Sequence, residues 1–67
     1  MLYNYAMTAR EVMRILEANG WKLKRTSGSH HVFDKQEAIR PVVVPFHGNQ
    51  DLGALGKRIL REAGIMI

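Results

Sequence analysis

The stretch TSGSHHVF, Thr26 to Phe33, sets two adjacent histidines just after a Ser-Gly turn signal. Imidazole is the side chain best suited to take and return a proton near neutral pH, its unperturbed pKa being about 6.5. Three readings of His30 and His31 stand side by side. In the first the pair is structural, since histidine is intermediate in burial and often fills a half-buried position with no chemical task. In the second the pair binds metal with His47 as a third ligand. That donor set is poor: adjacent strand residues diverge, there is no cysteine, and no two histidines have helical i, i+4 spacing. In the third a histidine does acid/base work on RNA. The ribose 2′-hydroxyl, deprotonated by a general base, attacks the adjacent phosphorus, so a protein need only position the strand, hold charge and move a proton. Lys22, Lys24 and Arg25 before the pair, and Lys57, Arg58 and Arg61 near the end of the chain, offer cations for phosphates. Each of these, taken singly, also reads as part of a solvated polar face.

Two other chemistries fail on spacing. GNQDLGALGKR carries glycines and a lysine near a helix start, but Gly48 and Gly53 are followed by Ala54, which breaks the phosphate-loop pattern. Glu11, Glu17, Asp34, Glu37, Asp51 and Glu62 are scattered, with no pairing of the kind a two-carboxylate hydrolase needs.

The elements that must position the histidines are short. A 67-residue chain makes one domain, residues 1–67, and hides only about 60% of the surface its unfolded form exposes. With 46% apolar residues and no cysteine, neither disulfides nor a cysteine metal site can reinforce a thin core. No basic segment followed by an apolar run opens the chain, and no stretch approaches the roughly 18 apolar residues of a membrane span. A cytoplasmic protein is expected. Ten Lys and Arg against six Asp and Glu leave a net charge of +4, which points to an anionic partner.

TAREVMRILEANG reads as a helix bracketed at both ends: Thr8 and Glu11 make a capping box, and Gly20 sits where a left-handed residue ends a helix. Val12, Ile15 and Leu16, flanked by Met13, form the buried stripe, with Arg10, Arg14 and Glu17 outward. Trp21 and Leu23 then alternate with Lys22 and Lys24 before the Ser27-Gly28 turn and a second run, His30 to Asp34, which predicts a hairpin. Val42 to Val44, bounded by Pro41 and Pro45, predicts an edge strand. LGALGKRILREAG predicts a closing helix with Leu52, Leu55, Ile59, Leu60 and Ala63 inward and Gly64 as its stop, weakened in its first turns by roughly 1 kcal/mol relative to Ala at each of Gly53 and Gly56 if fully helical. The order is α-β-β-β-α, an α+β domain with a three-stranded antiparallel sheet and both helices on one face. Because Val32 and Phe33 are both apolar, alternation leaves open which histidine faces the core.

LEANGWKLKRTSGSHHVF, VVVPFHG and LGKRILREAGI together resemble the HicA (YcfA-like) toxin family, in its L-x-x-x-G helix end, its G-S-H strand, its V-P-x-H strand end and its closing I-L-x-x-A-G helix. The resemblance spans almost the whole chain. It implies a fold like double-stranded-RNA-binding domains and ribosome-independent cleavage of mRNA by a histidine, with no metal or organic cofactor, blocked by a HicB-type antitoxin. Carried over by G-S-H, the catalytic histidine is His30, set by the turn at Gly28 and Ser29, with His31 as second candidate. His47 matches the family's histidine after the V-P block, in a supporting role, and joins Lys22, Lys24, Arg25, Ser29, Lys57, Arg58 and Arg61 in the expected set of RNA contacts. LYNYA precedes Met7 and departs from the family's start, making residues 1–7 an N-terminal extension or Met7 the first residue. GALG stands where the family has a Gly-Thr pair. The rival reading is a non-catalytic module of the double-stranded-RNA-binding type, or an inactive remnant that only binds the antitoxin. Such a module has no need of the G-S-H-H turn, and duplex readers span about 16 base pairs.

Overall fold

Thr8 opens the first helix as its residue type predicts. A computed structural model describes residues 7–47 and 51–65. In it the Thr8 hydroxyl accepts from the Glu11 N–H, and the Glu11 carboxylate accepts from the Thr8 N–H, so the capping box closes over α1, Ala9–Ala18. Its far end is equally well defined. Gly20 takes φ +93°, its N–H reaches the Glu17 carbonyl, and the Trp21 N–H reaches that of Leu16, the paired bonds of a Schellman ending. Gly64, at φ +79°, closes α2, Ala54–Glu62, in the same way.

Between the helices lie β1, Lys22–Ser27, β2, His30–Asp34, and β3, Val42–Pro45, antiparallel neighbours in the order β1-β2-β3. Gly28 and Ser29 form the two-residue loop between β1 and β2. Only Gly28 has positive φ, as the first residue of a type II′ hairpin turn does. β3 is at the sheet edge, as its bracketing prolines predict.

Val12 and Leu16 of α1 and Ile59 and Leu60 of α2 pack with Phe33, Val42 and Val44 of the sheet, so both helices cover one face. Met7, Ala9 and Trp21 complete this cluster, with Met13 and Ile15 partly buried beside it. Asp51 ties the two helix starts together: its Oδ1 accepts from the N–H groups of Met7 (2.9 Å) and Gly53 (2.8 Å), while the Leu52 N–H donates to the Met7 carbonyl. The expected extension at residues 1–7 lies outside the described residues except for Met7, which is buried.

One expectation, for Leu55, needs correction, and the exposure of Leu23 and the placing of two glycines add detail. Leu23 does not share the burial of Trp21: all of β1 is exposed, because it is an edge strand that the helices do not cover. Leu55, assigned to the inward face of the closing helix, is 40% exposed at the margin of that face. Of Gly53 and Gly56, only Gly56 lies inside the helix. Gly53 is the N-cap, outside it, and Gly56 is buried, where a Cβ would lie 3.2 Å from Val12 Cγ2 and 3.3 Å from Met7 Sδ. The missing side chain lets α2 approach α1.

Among the described residues no helix is long and apolar enough to cross a membrane.

Candidate active site

Register separates the two histidines. His31 stands opposite Val44 and Phe33 opposite Val42, and Phe33, Val42 and Val44 are all core residues, so His31 lies on the helix face. His30 stands opposite Pro45 and Val32 opposite Val43, which places His30 on the outer face and exposed. His31 packs its ring edge-on against Phe46, centroids 5.3 Å apart, and its Nδ1 is buried with no hydrogen-bond partner among the described residues. Alternation could not decide this because Val32 is also buried, at 5%, although it faces away from the helices and stands outside the main core.

Irregularity in β1 gathers the cations. Leu23 pairs with Phe33 and Arg25 with Val32, so Lys24 is an extra residue, a β-bulge. In an unbroken strand Arg25 would follow Leu23 to the helix face. The bulge resets the alternation, so Arg25 shares the outer face with Val32 and His30, and Ser27 follows it. Lys22 pairs with Asp34 on that same face, and Lys24 Nζ lies 3.7 Å from Asp34 Oδ2. Lys22, Lys24, Arg25 and His30 therefore share one side of the sheet. Lys22 is the farthest of them, about 13 Å from His30 along the strand direction.

α2 supplies the other wall. It runs beside the β3 edge, and an open depression forms there between His30, Val43 and Pro45 on the sheet and Leu55, Arg58 and Glu62 on the helix. Arg58 Nε and Glu62 Oε2 are 3.5 Å apart, an exposed pair one helical turn apart. Lys57 and Arg61 do not line the depression; they sit roughly 100° and 60° round the helix from Arg58, on the flank away from Glu62. The Phe46 N–H donates to the Ser29 carbonyl (2.7 Å), which extends the ladder past β3 and leaves the exposed His47 at the same end of the sheet as the Gly28-Ser29 turn. Thus His30 and Arg58 line one depression, Arg25, Lys24 and Lys22 continue a cationic stripe across the outer face of the sheet, and Lys57 and Arg61 lie off the depression.

A general base needs an accessible imidazole beside a place for substrate, with cations near the charge that develops. His30 is exposed beside such a place, whereas His31 is half-buried with its Nδ1 shut off from solvent. The sequence reading missed Leu55, Val43 and Glu62 as members of the site; Leu55 fitted the apolar helix stripe, and nothing in a linear pattern shows that the stripe's margin overhangs a sheet edge. Among the described residues no three His, Asp or Glu side chains converge as metal ligands. The model of a protein family described as HicA toxin of bacterial toxin-antitoxin matches residues 9–65. No curated protein matches the chain.

Proposed function

The chain belongs to the HicA toxin family of bacterial toxin-antitoxin systems, and from that premise we propose that it is a ribosome-independent mRNA endoribonuclease in which His30 is the general base. The observation that carries this reading is the division of labour between the twin histidines: one exposed on a cationic face at the mouth of a depression, the other packed against Phe46 on the core side. Neutral His30 takes the proton of a ribose 2′-hydroxyl, and the 2′-oxygen attacks the adjacent phosphorus. The P–O5′ bond breaks, leaving a 2′,3′-cyclic phosphate; the departing 5′-oxygen takes a proton from water, and protonated His30 returns its own to solvent. Arg25 and Arg58 balance the charge that builds on the phosphoryl oxygens, while Lys22 and Lys24 hold neighbouring phosphates. Ser29 and Gly28 fix the turn from which His30 projects, and His47 supports the same end of the sheet. In this reading residues 1–67 act as one cytoplasmic domain without metal, and a HicB-type antitoxin silences it by covering the outer face.

The test is induced expression in a bacterial host of wild type, His30→Ala and His31→Ala, scoring growth and the integrity of a reporter mRNA. Growth arrest with mRNA loss, relieved by His30→Ala alone, is the expected outcome. Relief by His31→Ala alone would move the chemistry to the other histidine, and intact mRNA with abundant wild-type protein would favour a non-catalytic RNA-binding module.

A further inference from the structure

The depression beside His30 contains two features that phosphate binding does not explain. Val43 and Leu55, large apolar side chains, are 43% and 40% exposed and line the same hollow with Pro45. Water gains nothing from such a wall, whereas the flat apolar face of a nucleobase would cover it. The second feature is Glu62, a carboxylate in a site whose other charges are cationic and whose proposed substrate is a polyanion. Arg58 engages its Oε2, and Oε1 has no protein partner among the described residues. A carboxylate oxygen can only accept hydrogen bonds, so a ligand that suits it must offer N–H donors.

Resting on the nuclease reading above, we infer that this depression is a base subsite for an unpaired nucleotide next to the cleaved bond, walled by Val43, Pro45 and Leu55, with Glu62 reading N–H donors on the base edge. Guanine, whose N1–H and N2–H₂ lie side by side, matches the carboxylate best. Uracil, with carbonyl acceptors flanking its single ring N–H, matches it worst. The volume, about 290 Å³, lies at the low end of small-molecule pockets and suits one base better than a larger ligand. Pairing in a duplex would hide the edge that Glu62 reads. It would also hold the 2′-oxygen away from the line through phosphorus and the leaving oxygen that displacement requires. Despite a sheet-and-helix architecture shared with duplex binders, the substrate is single-stranded. Arg58 has a double task here, orienting Glu62 and facing the phosphate beside the bound base.

The experiment uses the full chain and single-stranded RNAs in which one nucleotide takes each of the four bases in turn. One set is all-ribose, for cleavage; a matched set carries 2′-deoxyribose at the reacting position, so binding is read without cleavage. Wild type is expected to bind and cleave the guanine RNA about tenfold or more better than the uracil RNA, and to leave the same nucleotide uncut inside a hairpin stem. Glu62→Gln should reduce the guanine preference in both readouts, and Leu55→Ala should raise Kd for all four bases together. Equal binding of all four bases by wild type, or a Glu62→Gln effect that is the same for each, would overturn the subsite and leave Glu62 a general repulsive charge. Base-selective binding of the 2′-deoxy set with no cleavage of the ribose set would keep the subsite and refute the nuclease. Absence of any RNA binding would refute both.

Discussion

A difference of one position separates His30 from His31, and in the proposed mechanism it divides proton transfer from packing. His30→Ala removes an exposed side chain, so its effect on stability should stay within about 0.5 kcal/mol, while cleavage of a reporter RNA falls to background. Thermal unfolding and a cleavage assay on the same preparation check both halves. His31→Phe should do the reverse of harm. It keeps an aromatic edge against Phe46 and eliminates a buried nitrogen that finds no partner among the described residues, so the variant should unfold at the same temperature as wild type or higher and still cleave. Loss of cleavage in His31→Phe with an intact fold would contradict the assignment.

At the scale of elements, the helices and strands were legible because their boundaries are written in local chemistry: Thr8 and Glu11 open α1, Gly20 and Gly64 close the two helices, and Gly28 turns the hairpin. What stayed hidden were relations between elements. The bulge at Lys24 leaves no mark in KLKR, since one basic residue looks like another until its partner strand is known. Gly56 reads as a poor helix residue and turns out to be a point of close approach. Replacing it with Ala should gain helix propensity yet lower stability by about 1 kcal/mol, because buried Val12 has little room to move. In a Val12→Ala background the same change should be neutral or stabilising, and a double-mutant cycle by urea unfolding measures that coupling. Asp51 was one of several scattered acids in the sequence. Its carboxylate serves two backbone N–H groups that join the start of α1 to the start of α2. Asp51→Ala should therefore cost about 1–3 kcal/mol, seen as a lower urea midpoint.

Over the whole molecule, the arrangement of the cations bears on RNA binding more directly than the net charge of +4. Lys22, Lys24 and Arg25 lie on one sheet face with Arg58 across the depression, partly offset by Asp34 and Glu62. Four phosphate contacts on a single strand predict a slope of about −3 in log K against log salt. Arg25→Ala should reduce that slope by roughly one contact, whereas Lys57→Ala, on the far flank of α2, should leave it nearly unchanged. Binding titrations at several salt concentrations decide between this stripe and a diffuse basic surface. Trp21, the single tryptophan of the chain, is buried where α1 hands over to β1. It lies at the opposite end of the β1–β2 ladder from His30, roughly 17 Å away along the strands. Its burial makes its fluorescence a built-in gauge of folding: a variant that loses cleavage but keeps the native emission spectrum has lost chemistry and kept its architecture.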